Sequence, residues 1–160
     1  MTAMLRTFLL LLVSVGLAHA VPASQQSDDL VFNAMGYIGV PYKRGGNSEN
    51  GFDCSGFVRA MYQNTLGLVL PHNAKAQAAV TEKIDRSELQ PGDLVFYNTL
   101  RQTFSHVGIY IGEGKFIHSP RSGGEVRIEN MSDAYWVKRF NGARRVSNAQ
   151  TAPAAVMNNR

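Results

Sequence analysis

The chain holds a single cysteine, Cys54, among 160 residues. With no second thiol it cannot form an intramolecular disulfide. No block of five or more like charges is present, and the basic residues do not alternate with aromatic ones as in a strand-binding groove. Nucleic acid is therefore not an expected partner. No apolar run reaches the roughly 20 residues that a bilayer-spanning helix needs. The formal charge of +4 suits an anionic polymer substrate and ordinary solubility equally, so charge alone does not decide.

The first twenty residues carry an export pattern. Arg6 supplies a positive start, Phe8 to Val13 an apolar centre, and Ala18-His19-Ala20 small residues flanking a variable one. Cleavage after Ala20 is expected, with no lipid anchor because no cysteine lies near the cut. Residues 21–27 then read as a polar leader, residues 28–146 as one domain, and residues 147–160 as a disordered tail without periodicity. The mature chain is expected to act as a monomer with no membrane anchor, in the periplasm or outside the cell. A lone thiol sent to an oxidising compartment is a thiol to be used.

Between leader and tail, helical patterns precede strand patterns. Ser27 is a candidate cap for a helix whose apolar face is Val31, Ala34, Met35 and Ile38, closed by Gly39 and Pro41. A glycine-rich loop leads to a second helix from Asp53 or Cys54, with Phe57, Val58, Met61 and Tyr62 inward and Gly67 as its stop. Asn73 is placed to cap a short helix over Ala74 to Val80. Strands are predicted at 93–97, at 106–111 and 115–118 as a hairpin about Gly112-Glu113-Gly114, and at 125–129. Residues 136–146 add a strand or a short helix. Helices grouped ahead of an antiparallel sheet predict an α+β layer fold.

Cys54 falls at the first turn of the second helix, where unpaired backbone N–H groups lower a thiol pKa. Gly51 and Gly56 are expected to leave room for a substrate backbone. A nucleophile needs a base, and the base an orienting partner. His106 opens one strand of the hairpin and His118 closes the other, equidistant from Gly112, so alternation puts both imidazoles on one face at one end. His106 is thus the candidate base and His118 its orienting partner. Asp93 is expected to fix the Pro91-Gly92 turn, His72 to have no partner, and Arg121 to sit in a solvated loop, with a substrate carboxylate as its alternative partner.

Gly39-Val40-Pro41-Tyr42, Gly45-Gly46, Asp53-Cys54-Ser55-Gly56-Phe57, Pro91-Gly92-Asp93, Ser105-His106-Val107-Gly108-Ile109 and Phe116-Ile117-His118 occur in an order that resembles the NlpC/P60 cysteine peptidases. The resemblance implies a papain-like core of N-terminal helices packed on an antiparallel sheet, and a Cys54-His106-His118 site without cofactor or metal. It implies hydrolysis of peptide bonds in peptidoglycan stem peptides, at D-glutamyl–diaminopimelate or cross-link bonds, with muropeptides as the partner. Tyr42 then matches a residue that helps hold the oxyanion, and Asp53 and Ser55 match positions that contact a substrate amine or shape the pocket. Packing for Tyr42 and helix capping for Asp53 stand beside those roles. Arg44 departs from the aromatic residue common before the Gly-Gly pair, and His72-Asn73 from an arginine and a hydroxyl residue.

Three other readings use the same residues. Cys54, His106 and His118 could ligate zinc, though no His-Glu-x-x-His arrangement accompanies them. The domain could bind cell wall without catalysis, or transfer the acyl group instead of hydrolysing it.

Overall fold

Two short polar side chains set the helices nearest the candidate site. Asp53 caps one by accepting from the Gly56 N–H at 2.7 Å, and Asn73 caps another by accepting from the Ala76 N–H at 3.0 Å. The computed structural model describes residues 22–121 and 123–147; the expected signal segment, residue 21 of the leader and the tail beyond 147 lie outside the described residues. In chain order the elements are α1 (Ala23–Met35), β1 (Asn47–Ser48), β2 (Gly51–Phe52), α2 (Cys54–Leu66), α3 (Ala74–Ala79), β3 (Glu82–Ile84), β4 (Leu94–Tyr97), β5 (His106–Gly112), β6 (Lys115–His118), β7 (Arg127–Asn130), α4 (Ala134–Val137) and β8 (Phe140–Arg145). Among the described residues no helix is long and apolar enough to cross a membrane.

The main sheet has six strands in the order β3-β8-β4-β5-β6-β7, every pair antiparallel. Together with the helices this is the expected α+β fold. Alternation divides the sheet into two faces. Leu94, Phe96, Val107, Ile109 and Ile117 join Leu30, Phe57, Val58 and Met61 of α1 and α2 in the larger core. Each large side chain buried there is worth about 1.5–3 kcal/mol relative to exposure. Val95, Tyr97 and Phe116 point the other way, onto Met131 and Trp136. His106 and His118 belong to this second face, with their rings against Trp136.

α1 departs from the reading of the sequence. It begins at Ala23, four residues before Ser27, because Pro22 stands at its start, where a missing N–H has no helical partner. Its buried side chains are Leu30 and Ala34, whereas Met35 and Ile38 are 40% and 50% exposed. The face is rotated because a polar residue joins it: Asn33 Nδ2 donates to Thr65 Oγ1 of α2 at 2.7 Å. The strand expected at 125–129 starts at Arg127, since Glu125 and Val126 pair with residues 39–41 instead. Both C-terminal alternatives occur, a short helix and then a strand. Asp93 holds its turn by accepting from the Gln90 N–H at 2.7 Å, and also takes a two-point ion pair from Arg145 at 2.8 and 2.7 Å.

The β5–β6 hairpin forms where predicted, but with a shifted register. Ile109 pairs with Ile117 and Tyr110 with Phe116, with an irregularity before Gly112. Continuing that pairing sets His118 opposite Gly108, two residues from His106. A Cβ at Gly108 would lie 2.7 Å from the Phe116 ring, 2.9 Å from the Ile117 carbonyl and 3.1 Å from the His118 Cβ. The absent side chain is what lets β6 lie this close. Gly108→Ala is expected to cost about 1–3 kcal/mol in urea unfolding, the usual range for overpacking a tight site. A loss below a few tenths would show that the strands have room to part.

Candidate active site

Cys54 is the first residue of α2, partly exposed, on a cavity of about 370 Å³ that is also lined by Tyr42, Arg44, Ser105, His106 and Arg121. A second hollow of about 380 Å³ shares Tyr42, Arg44 and Cys54 and adds Asp53, Ser55 and His72. A third, of about 400 Å³, shares His106 and Arg121, lacks the cysteine, and adds Arg127, Glu129 and Trp136. The three form a trough with the cysteine and His106 at its middle. Ser105 keeps the rim in place, its hydroxyl accepting from the Thr99 and Leu100 N–H groups at 2.9 and 3.1 Å.

Backbone N–H groups of Val107, Ser55 and Cys54 itself favour the thiolate, as expected at a helix start. They do not prevail. Burial, with the Asp53 charge second, pushes the Cys54 thiol up to about 11 from 9.0. The expected lowered pKa is therefore corrected: the resting group is a thiol.

His106 is 5% exposed, and its ring stacks on Trp136 at 5.7 Å between centroids. One of its nitrogens, Nε2, lies 2.7 Å from Nδ1 of the fully buried His118, so Nδ1 is the nitrogen left for the cavity. Burial and then the neighbouring His118 hold His106 well below the ordinary imidazole range. Burial lowers His118 too, with contacts to Glu129 opposing. Both rings are thus neutral at neutral pH. His118 Nε2 sits 3.0 Å from Glu129 Oε2, off the line of a directed hydrogen bond. Glu129 and Trp136 are the site neighbours that sequence reasoning missed.

Asp53 is engaged by four groups of its own surroundings. Its Oδ1 accepts from the Gly56 N–H and the Ser55 hydroxyl and lies 3.0 Å from His72 Nε2, while Oδ2 accepts from the Gly45 N–H at 3.0 Å. His72, expected to have no partner, therefore has one, and Arg121, exposed on a bend, also lines the cavity. Ser55 is 6% exposed. Burial and then the Cys54 and Asp53 charges raise the Tyr42 phenol, which remains a donor at neutral pH. The space beside Gly51 and Gly56 goes to the protein: a Cβ at 56 would meet the Gly46 carbonyl and His72, and one at 51 the Lys43 side chain. These glycines seat the loop on α2 and leave no gap for substrate. Among the described residues no group of three His, Cys, Asp or Glu side chains is placed to hold an ion; both His118 nitrogens already face His106 and Glu129.

Helices on an antiparallel sheet, with a cysteine at a helix start sharing a cavity with a strand histidine, suit one class, and the chain belongs to it: the NlpC/P60 family, whose profile matches residues 39–145. The chain is 41% identical over 138 residues to murein DD-endopeptidase MepH of Escherichia coli (strain K12), covering 84% of this chain and 51% of that protein. It is 45% identical over 135 residues to the gamma-DL-glutamyl hydrolase of Bacillus subtilis (strain 168), covering 82% and 32%. The crystal structure of an NlpC/P60 family protein from Bacillus cereus ATCC 10987 superposes with a TM-score of 0.71 at 35% identity, over 79% of this chain and 41% of that one. The chain thus spans about half or less of the length of these proteins.

The raised thiol pKa makes a pH prediction with a definite sign. Only the thiolate alkylates, so its rate should climb about tenfold per pH unit below the thiol pKa. With iodoacetamide, folded protein should react more slowly at pH 7 than a small free thiol, and its rate should still be rising at pH 10. A plateau already reached near pH 7 would instead mean a resting thiolate–imidazolium pair.

Proposed function

We propose that this chain is an exported cysteine endopeptidase that hydrolyses peptide bonds in peptidoglycan stem peptides. Cys54 is the nucleophile, His106 the base and His118 the residue that orients it. The observation that carries the reading is the 2.7 Å contact between His106 Nε2 and His118 Nδ1, which leaves His106 Nδ1 for the cavity that Cys54 lines. Membership of the family and the printed activities of MepH and the gamma-DL-glutamyl hydrolase support the same class of bond.

The neutral resting pair sets the order of proton movements. As the sulfur attacks the scissile carbonyl carbon, His106 Nδ1 takes the thiol proton. The oxyanion of the tetrahedral intermediate is received by the Cys54 N–H and the Tyr42 hydroxyl, each worth about 3–4 kcal/mol by analogy with measured oxyanion donors. The protonated His106 gives its proton to the leaving amine, leaving a thioester on Cys54. Water, deprotonated by the same nitrogen, then releases the acyl part as a carboxylic acid.

Charged groups of both signs line the trough. Asp53, with Ser55, His72, Arg44 and Lys75, lines the hollow on one side of Cys54, and Arg121 and Arg127, with Glu129 and Asp133, the hollow on the other. In this reading a stem-peptide carboxylate pairs with Arg121 and a free amine approaches Asp53. In line with the family resemblance, the bond in this reading is a D-glutamyl–diaminopimelate or cross-link bond, cut outside the cytoplasm.

Mass spectrometry of purified muropeptides after digestion tests the reading. The wild-type chain should release peptide fragments, and Cys54→Ala should release none; cleavage by Cys54→Ala would remove the proposal. Arg121→Glu should raise KM by about tenfold, equivalent to about 1.4 kcal/mol, with kcat little changed. An unchanged KM would take Arg121 out of substrate recognition.

A further inference from the structure

Glu129 has no role in the mechanism just given, yet it touches the histidine pair. On β7 it pairs with Phe116, so it shares the face that carries His118 and His106. Arg127 holds its Oε1 from two nitrogens, at 2.7 and 2.9 Å, and its Oε2 lies 3.0 Å from His118 Nε2. Burial alone would raise this carboxyl, but the contacts with His118 and Arg127 outweigh it and hold it below the usual carboxylate range.

The donor and acceptor inventory then leaves one arrangement of protons. A carboxylate offers lone pairs only. An imidazole lone pair facing it at 3.0 Å would be repelled, so His118 Nε2 carries a hydrogen even though the approach is off-line. Neutral His118 then has its lone pair on Nδ1. The 2.7 Å contact with His106 needs one proton between the rings, and it must come from His106 Nε2. Neutral His106 is left with its lone pair on Nδ1.

We propose that Glu129 is a positioning residue that fixes the tautomers of both imidazoles and so presents an unprotonated Nδ1 of His106 to Cys54. The inference deepens the endopeptidase reading and rests on it for its catalytic consequence. With the opposite tautomers, His118 Nδ1–H would donate to His106 Nε2, and His106 would turn an N–H toward the thiol. Such a ring cannot accept the proton.

The test uses the full chain labelled with ¹⁵N-histidine, without substrate, at a pH where both rings are neutral. Long-range ¹H–¹⁵N spectra should report the Nε2–H tautomer for His106 and His118 in the wild type. In Glu129→Gln, Arg127 continues to attract the amide oxygen, the NH₂ group faces His118 Nε2, and both rings should move to Nδ1–H. Outer partners of a working imidazole are worth about 10- to 100-fold and a wrong tautomer about 10⁴-fold where measured, so kcat on muropeptides should fall by about 100-fold or more with KM within about twofold. Glu129→Asp, which keeps a carboxylate, should keep the wild-type tautomers and lose less. Wild-type His118 found as Nδ1–H would overturn the inference, as would Glu129→Gln with unchanged spectra and kcat. A wild-type chain that cleaves no muropeptide but whose tautomers respond to Glu129→Gln would sink the endopeptidase reading and leave the proton arrangement standing.

Discussion

The register of β5 against β6 is the constraint on which the site depends. Had the hairpin closed symmetrically about Gly112, His106 and His118 would face each other as a cross-strand pair, with Cβ atoms about 4.5–5.5 Å apart. The turn closes on Glu113-Gly114, with Gly112 paired to Lys115, so His118 falls opposite Gly108 even after the irregularity before Gly112 takes back one residue, and the bare Gly108 lets it lean diagonally toward His106. The rings then meet edge to face at 86°, nitrogen to nitrogen. Tyr97, Phe116 and Trp136 wall the pair on its own face of the sheet, which is why both imidazoles are dry and neutral.

Burial, not the helix end, governs the nucleophile. A rise from 9.0 to about 11 corresponds to about 3 kcal/mol against the thiolate. A helix N-terminus offers charge stabilisation of only about 0.3–2 kcal/mol. Asp53 supplies part of that opposition: the carboxylate that caps α2 and fastens the Gly45 loop stands next to the sulfur. One side chain therefore makes the helix start and disfavours the charge that a helix start would favour. The cost falls on the thiolate, and a neutral His106 is the group suited to remove the proton during attack.

What the sequence made legible were features decided within a few residues. Caps at Asp53 and Asn73, the stop at Gly67, the hairpin over 106–118 and the shared face of its histidines all follow from local chemistry. Features decided by distant partners were not. The face of α1 turned because Asn33 found Thr65. Strands β1 to β3, at two or three residues each, carry no periodicity to read. Glu129 becomes a neighbour of His118 only through the β6–β7 register, set across a connection that pairs partly with residues 39–42. The thiol pKa follows from how much water the assembled fold excludes, which no motif records.

The position of β8 has a consequence for how the molecule is made. It is latest among the described strands, yet it lies inside the sheet, between β3 and β4, and Arg145 at its end is tied to Asp93 at the start of β4. A chain emerging N-terminus first from a ribosome or a translocation channel would release its cysteine helix and both histidine strands with the sheet still gapped. Non-local pairing of this kind closes slowly. The place between β3 and β4 can therefore be filled only after synthesis has passed Arg145.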